Sequence, residues 1–283
     1  MNMKEIEVLV PGIYSSIQDM GRPGYRAFGI PVSGAMDQVS PALGNSMLGN
    51  NVNAATLEMT FSGAKLLFHA SASLAICGAD MNPTVNNQPI GMNKVENVNA
   101  GDILAFGRAK MGCRTYVCIK NGFNVKKQYR SSSTYFPAGL GLPLLKKGMK
   151  LYFDDASHGQ VPSFSRIKPP SFLFKSTKIE VTPGPEYHLL GKELLSCNFQ
   201  ISADSNRMGY RLAGPGNHAH SESILTSTVM PGTIQLPPAG NPVVLMRDCQ
   251  TTGGYPRVLQ VTEMGINILA QKRPGDEISF VMV

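Results

Sequence analysis

Most of the side chains able to do chemistry in this chain lie in three polar stretches punctuated by glycine. Residues 16–37, SIQDMGRPGYRAFGIPVSGAMD, carry Gln18, Asp19, Arg22, Tyr25, Arg26 and Asp37. Residues 204–214, DSNRMGYRLAG, carry Asp204, Arg207 and Arg211. Residues 248–257, DCQTTGGYPR, carry Gln250, Thr251, Thr252, Gly253, Gly254, Tyr255 and Arg257. A carboxylate orients or deprotonates a nucleophile, or caps a turn. A guanidinium holds a carboxylate or phosphate through two parallel hydrogen bonds. The amides and hydroxyls add neutral donors and acceptors. Together the three stretches suit a small charged ligand. Read singly, each residue is more often a structural group: Arg207 and Arg211, four apart, could merely pair with Asp204 and Glu222.

Turns on a rigid scaffold are where such groups converge. The first stretch reads as a series of tight turns, with Pro23 and Pro31 fixing φ and removing donors. Before it, EIEVLV is a short β-type run. After it, Ser40 reads as an N-cap with Pro41 at the first helical position. Val39, Leu43 and Met47 recur at helical spacing, and Gly49 can close the helix. From residue 55 onward, short apolar or alternating runs are broken by Ser-Gly, Asn-Asn and Gly-Asp turns. That texture indicates a sandwich or barrel. Residues 128–142, QYRSSSTYFPAGLGL, have no period and read as a functional or a mobile loop. Residues 158–170, with Pro162, Pro169 and Pro170, read as a linker. Ile6-Glu7-Val8 before Pro11-Gly12 is echoed by Ile179-Glu180-Val181 before Pro183-Gly184. The echo divides the chain into two β domains, 1–165 and 166–283.

With 26 basic and 19 acidic residues the net charge is +7, which favours anionic ligands or acidic partner surfaces. The basic residues are scattered, so nucleic acid is not expected as a partner. No apolar run reaches the roughly 20 residues a membrane helix needs, and the opening residues MNMKEIEVLV lack the apolar core and cleavage site of a signal peptide. Cytoplasmic residence is the expectation, and the five cysteines, without a CxxC pair, are expected to be buried free thiols. P-loop, GxGxxG, HExxH and GxSxG motifs are absent. His218 and His220 lack an evident third ligand, so no metal is expected.

The strings SIQDMGRPGYRAFGIPVSGAMD, LGNSMLGN, LEMTFSG, SNRMGYRLAG, GTIQLPPAGNPVVL, QTTGGYPR and AQKRPGD follow one another along nearly the whole chain. In this order they resemble the family that contains the C component of 5-oxoprolinase, the KipI antagonist KipA and the carboxyltransferase part of urea carboxylase, the allophanate hydrolase subunit 2 family. Lys120-Asn121-Gly122 and Ser131-Ser132-Ser133-Thr134 depart from the glycine pattern that many relatives carry there. The resemblance implies a mainly β fold of two linked cyclophilin-like β-barrel subdomains with few short helices. It also implies partners, a KipI-like B component and an A component of the same 5-oxoprolinase complex. The activity it implies is ATP-dependent opening of the 5-oxo-L-proline lactam to L-glutamate, with ATP shared with or bound by the partners. Two alternatives remain: biotin-dependent carboxyl transfer, with residues 250–255 lining the biotin pocket, and a KipA-like protein that antagonises a kinase inhibitor.

For the lactam reaction, Arg207, Arg211 and Arg257 are assigned to charge stabilisation and Asp19 or Asp37 to base or orienting work. Substrate contacts are assigned to Gln18, Arg22, Asp204, Gln250, Thr251, Thr252, Gly253, Gly254 and Tyr255. The three stretches are expected to meet in space. Alanine at Arg257 or Asp19 is expected to abolish activity with little loss of stability.

Overall fold

The computed structural model describes residues 3–154, 167–168, 170–215 and 218–283. The chain forms two compact units, Met1–Arg22 with Asp37–Pro170, and Pro23–Met36 with Ser171–Val283. The expected boundary at 165/166, and most of the expected linker, lie outside the described residues. The sequence did not signal that residues 23–36, in the middle of the first polar stretch, leave one unit for the other.

The first unit is built on period-two strands. In Met3–Val10, Ile6 and Val8 are fully buried while Glu5 and Glu7 face outward, the alternation of a half-buried strand. This strand lies between Lys150–Asp154 and Lys65–Phe68 in a six-stranded sheet. A second, five-stranded sheet runs Tyr14–Gln18, Thr56–Thr60, Arg114–Ile119, Ala72–Gly78, Val95–Val98. Its central strands are buried on both faces. Leu57, Met59, Val117 and Ile119 join the main apolar core. On the opposite face, Ala75, Cys77 and Cys118 pack with Met47 and Leu48 from the helix Val39–Met47 and the residue after it. Gly44 permits that approach, since a Cβ there would stand 2.6 Å from Cys118 Sγ.

The helix start corrects the reading of Ser40 as its cap. Asp37 Oδ1 accepts from the N–H groups of Val39 at 2.9 Å and Ser40 at 3.2 Å. The Ser40 hydroxyl donates to Asp37 Oδ2 at 2.5 Å. A carboxylate satisfies two orphan donors and lies at the positive end of the helix, which a hydroxyl does less well. Beneath it, the Asp37 N–H donates to the Tyr116 hydroxyl at 2.9 Å, which donates to Glu58 Oε2 at 2.8 Å. Burial, then the charges of Glu58 and Asp37, hold the Tyr116 hydroxyl well above its ordinary pKa. Burial, with Asp37 second, pushes the Cys77 thiol up to about 12. Cys77, Cys113, Cys118 and Cys249 are buried free thiols; Cys197 is half-buried.

The second unit contains a closed seven-stranded barrel in the order Lys178–Pro183, Arg257–Val261, Thr233–Gln235, Val243–Leu245, Gly209–Ala213, Asn198–Ile201, Glu277–Met282. The first and last strands close it as a parallel pair. Alternate residues such as Ile179, Val181, Phe199, Tyr210, Leu212, Ile234, Val244 and Phe280 are buried. The apolar run at 266–269 is helical, within Glu263–Leu269, because the Thr262 hydroxyl caps it by accepting from Gly265 N–H at 3.1 Å. Four short α-helices stand among the described residues, and no helix there is long and apolar enough to cross a membrane.

Candidate functional site

The barrel of the second unit carries a groove of about 330 Å³ on its outer face, a volume suited to a small molecule. Strand register places its floor. Gly209 pairs with Leu245, Arg211 with Val243, and Gln235 also with Val243. Because side chains alternate, Tyr210, Leu212, Val244 and Ile234 point into the barrel, and these five residues face the other way. Asn206 and Met208 from the preceding turn, and Gln250 and Tyr255 from the following loop, complete the walls.

Arg211 is the cation of the groove. Its side chain is exposed, and its guanidinium has no hydrogen-bond or ion-pair partner among the described residues. Asn206 Oδ1 accepts from Met208 N–H at 2.8 Å, which leaves its Nδ2 donors available. Gln250 Nε2 donates to Gln235 Oε1 at 3.2 Å, and Gln235 Nε2 donates to the Tyr255 carbonyl at 3.4 Å. Tyr255 is 46% exposed. A cation, amide groups and an aromatic rim on an apolar floor fit a compact organic anion with further polar atoms.

The other two arginines have different fates. Arg207 is buried in a bidentate ion pair with Asp248, Nε to Oδ2 at 2.8 Å and Nη2 to Oδ1 at 3.2 Å, and it donates to the Gly34 carbonyl at 2.6 Å. Its partner is therefore neither Asp204 nor Glu222, and Asp204 is an exposed turn residue. Arg257 forms a second bidentate pair, with Glu186, at 2.9 and 2.8 Å, and donates to the Thr228 carbonyl at 3.0 Å. The Arg257 hydrogen bond holds the Glu186 carboxyl below its ordinary value, and Glu186 raises Arg257 in turn. A depressed carboxyl adds stability above its ordinary pKa of about 4.5 and loses it as pH falls through the lower, folded value. The thermal midpoint should accordingly drop between about pH 5 and pH 3, and drop less in Glu186→Gln. Equal acid sensitivity in both proteins would show that the pair does not carry this dependence.

Within the second unit, parts of all three polar stretches are joined by backbone contacts. Arg26 Nη2 donates to the Val229 carbonyl and reaches those of Gln250 and Thr251 at 3.5 and 3.4 Å. Arg207 holds Gly34 as described. Thr252 and Gly253 form a two-residue strand against Ser227–Thr228, and Gly254 accepts from Ile224 N–H. Thr251, Thr252, Gly253 and Gly254 thus shape the loop, while Gln250 and Tyr255 line the groove.

Gln18, Asp19, Arg22 and Asp37 belong to the first unit and are buried there. Asp19 accepts four hydrogen bonds, from Gly21 N–H and Ser131 Oγ at 2.7 Å and from Ser132 N–H and Ser133 Oγ at 2.6 Å. Gln18 donates to Ser16 Oγ at 2.9 Å and the Thr134 carbonyl at 3.3 Å, and Arg22 donates to the Ser133 carbonyl. The Ser-rich stretch, read as a loop, is buried at residues 131–134 and clasped by this carboxylate. His220 uses both ring nitrogens on the backbone, at Leu236 O and Glu222 N, and His218 Nε2 lies 3.7 Å from Cys197 Sγ. Asn206 and Gln235, which line the groove, were not singled out from the sequence. Both lie inside the quoted strings SNRMGYRLAG and GTIQLPPAGNPVVL, and Gln235 is a polar side chain in an otherwise apolar strand end.

Comparison with known proteins agrees with this architecture. The model of the carboxyltransferase domain, subdomain A and B, matches residues 28–282. The chain is 32% identical to the C component of 5-oxoprolinase from Escherichia coli (strain K12) over 98% of this chain and 90% of that relative. It is 32% identical to urea amidolyase of Lachancea kluyveri over 98% of this chain and 17% of that protein. The crystal structure of the K. lactis urea amidolyase superposes with a TM-score of 0.89 at 32% identity, over 99% of this chain and 19% of that one. The chain therefore spans most of the 5-oxoprolinase component and less than a fifth of either amidolyase. With its barrel, its motif series and a family match over nearly its full length, the chain belongs to the carboxyltransferase domain family, subdomains A and B.

Proposed function

We propose that this chain is the C component of an ATP-dependent 5-oxoprolinase and opens 5-oxo-L-proline to L-glutamate together with a KipI-like B component and an A component. The observation that carries the reading is the match to the C component of the Escherichia coli 5-oxoprolinase, which is nearly end to end in both chains. A lactam carbonyl is a poor electrophile, and phosphorylation of its oxygen by ATP makes it open to water. In this reading the groove holds the substrate: Arg211 takes its carboxylate, and Asn206, Gln250 and Tyr255 take the ring's polar edge. The groove lining has no carboxylate among the described residues, so the base for water and the ATP contacts are assigned to the assembled complex. Arg207 and Arg257 hold the scaffold of the site through their ion pairs. Co-expression of the three components, purification of the assembly and assay of ATP-dependent glutamate release tests the proposal. An assembled, soluble complex that releases no glutamate overturns it.

One observation favours a second reading, biotin-dependent carboxyl transfer: the 32% identity to the urea amidolyases over 98% and 99% of this chain. The groove would then receive a carboxylated ureido group. Loss of the carboxyl group from carboxybiotin to an amide substrate, dependent on this chain, would establish that reading in place of the first.

A further inference from the structure

Gln235 is a polar side chain 3% exposed at the end of the strand Thr233–Gln235. Both ends of its amide go to the loop that walls the groove. Nε2 donates to the Tyr255 carbonyl at 3.4 Å, and Oε1 accepts from Gln250 Nε2 at 3.2 Å. The two ends of an amide are alike in shape, so its orientation is set by the partner whose role is unambiguous. Here that partner is the Tyr255 carbonyl, which only accepts. Gln235 must turn its nitrogen to Tyr255 and its oxygen to Gln250. Gln250 must then answer with its own nitrogen, and its Oε1 is left without a partner among the described residues.

Gly253 supplies independent support. A Cβ at that position would stand 2.5 Å from Gln235 Nε2, closer than real Cβ atoms approach. Residue 253 lacks a side chain where the Gln235 amide needs the space.

We infer that Gln235 is a positioning residue that locks the Gln250 amide in one orientation, so that the groove offers a carbonyl acceptor as well as the Arg211 cation. The consequence is specificity. A ligand anion with an N–H opposite Gln250 is accepted, and its isostere with an oxygen there meets a lone pair and is rejected. This rests on the reading of the groove as the lactam site.

The test is titration of the purified full chain with 5-oxo-L-proline and with the lactone analogue 5-oxotetrahydrofuran-2-carboxylate, in which ring oxygen replaces N–H. The wild type should prefer the lactam by at least about tenfold. Gln235→Met, close in shape but without hydrogen bonds, should reduce the preference to about twofold, because the Gln250 amide is then able to turn. Gly253→Ala, which crowds the Gln235 amide from the other side, should act in the same direction and serves if Gln235→Met does not fold. Gln235→Met combined with Gln250→Leu should lower the preference no further than Gln250→Leu alone, as expected of residues that act in series. An unchanged preference in Gln235→Met, or independent effects in the double variant, overturns the inference. The side-chain NH₂ signals of Gln250 in ¹⁵N NMR separate this from failure of the functional reading. If neither compound binds the isolated chain, glutamate release by the assembled complex decides the lactam reading and those signals decide the lock alone. Loss of their exchange protection in Gln235→Met supports the lock, and unchanged signals refute it.

Discussion

Asp19→Ala is expected to destabilise the first unit by about 3–4 kcal/mol, because each buried donor left unsatisfied costs about 1 kcal/mol or more. Four donors converge on that carboxylate, two from the backbone and two from serine hydroxyls, and Asp19 is 6% exposed. Water reaches such a position poorly, so the donors cannot be satisfied elsewhere. The segment 131–134 would lose its anchor, and Gln18 and Arg22, which donate to carbonyls in the same segment, would loosen with it. Denaturant unfolding of the isolated chain measures the loss, and Asp19→Asn, which keeps an acceptor, should lie between. This reverses the expectation, natural from the sequence, that Asp19 could be removed with little loss of stability. A variant that keeps its stability within about 0.5 kcal/mol while the complex loses turnover would return Asp19 to the role of base.

Arg211→Ala is expected to lower kcat/KM of the assembled complex for 5-oxo-L-proline by about 100-fold, the equivalent of a lost charge-assisted hydrogen-bonded pair of about 2.7 kcal/mol. Its thermal midpoint should stay within about 2 °C of the wild type, since an exposed side chain without partners among the described residues contributes little to folding. Arg211→Lys keeps the charge but not the planar fork, and should recover part of the loss. Arg207→Ala makes the contrast. It would leave Asp248 buried without its ion-pair partner, and the expected outcome is a destabilised protein. If Arg211→Ala and the wild type turn over alike, the groove is not where the substrate carboxylate is held.

Much of this protein is written locally. Ile6 and Val8 alternating with Glu5 and Glu7 specify a strand without reference to the rest of the chain, and repetition of such runs between turns specifies a mainly β fold. The series of strings from residue 16 to residue 276 specifies the family. Local patterns suffice in these cases because strand periodicity and turn chemistry act over a few residues. The roles of like residues are a different matter. Arg207, Arg211 and Arg257 are indistinguishable by type and setting in the sequence, each in a glycine-punctuated polar stretch. What separates them is a partner 41 residues away for Arg207, a partner 71 residues away for Arg257, and none among the described residues for Arg211. Asp19 reads in the sequence as one more turn carboxylate, and only the fold brings Ser131 and Ser133, 112 and 114 residues further on, to donate to it. Gln235 reads as a strand end until the barrel brings Gln250 and Tyr255 over it. A side chain's availability for chemistry is what remains after its hydrogen bonds and ion pairs are subtracted, and those partners are chosen by strand pairing across the whole chain. Sequence therefore determined the architecture and the residue types gathered in the three stretches, and tertiary structure alone decided which of them are tied into the fold by partners and which line the groove without one among the described residues.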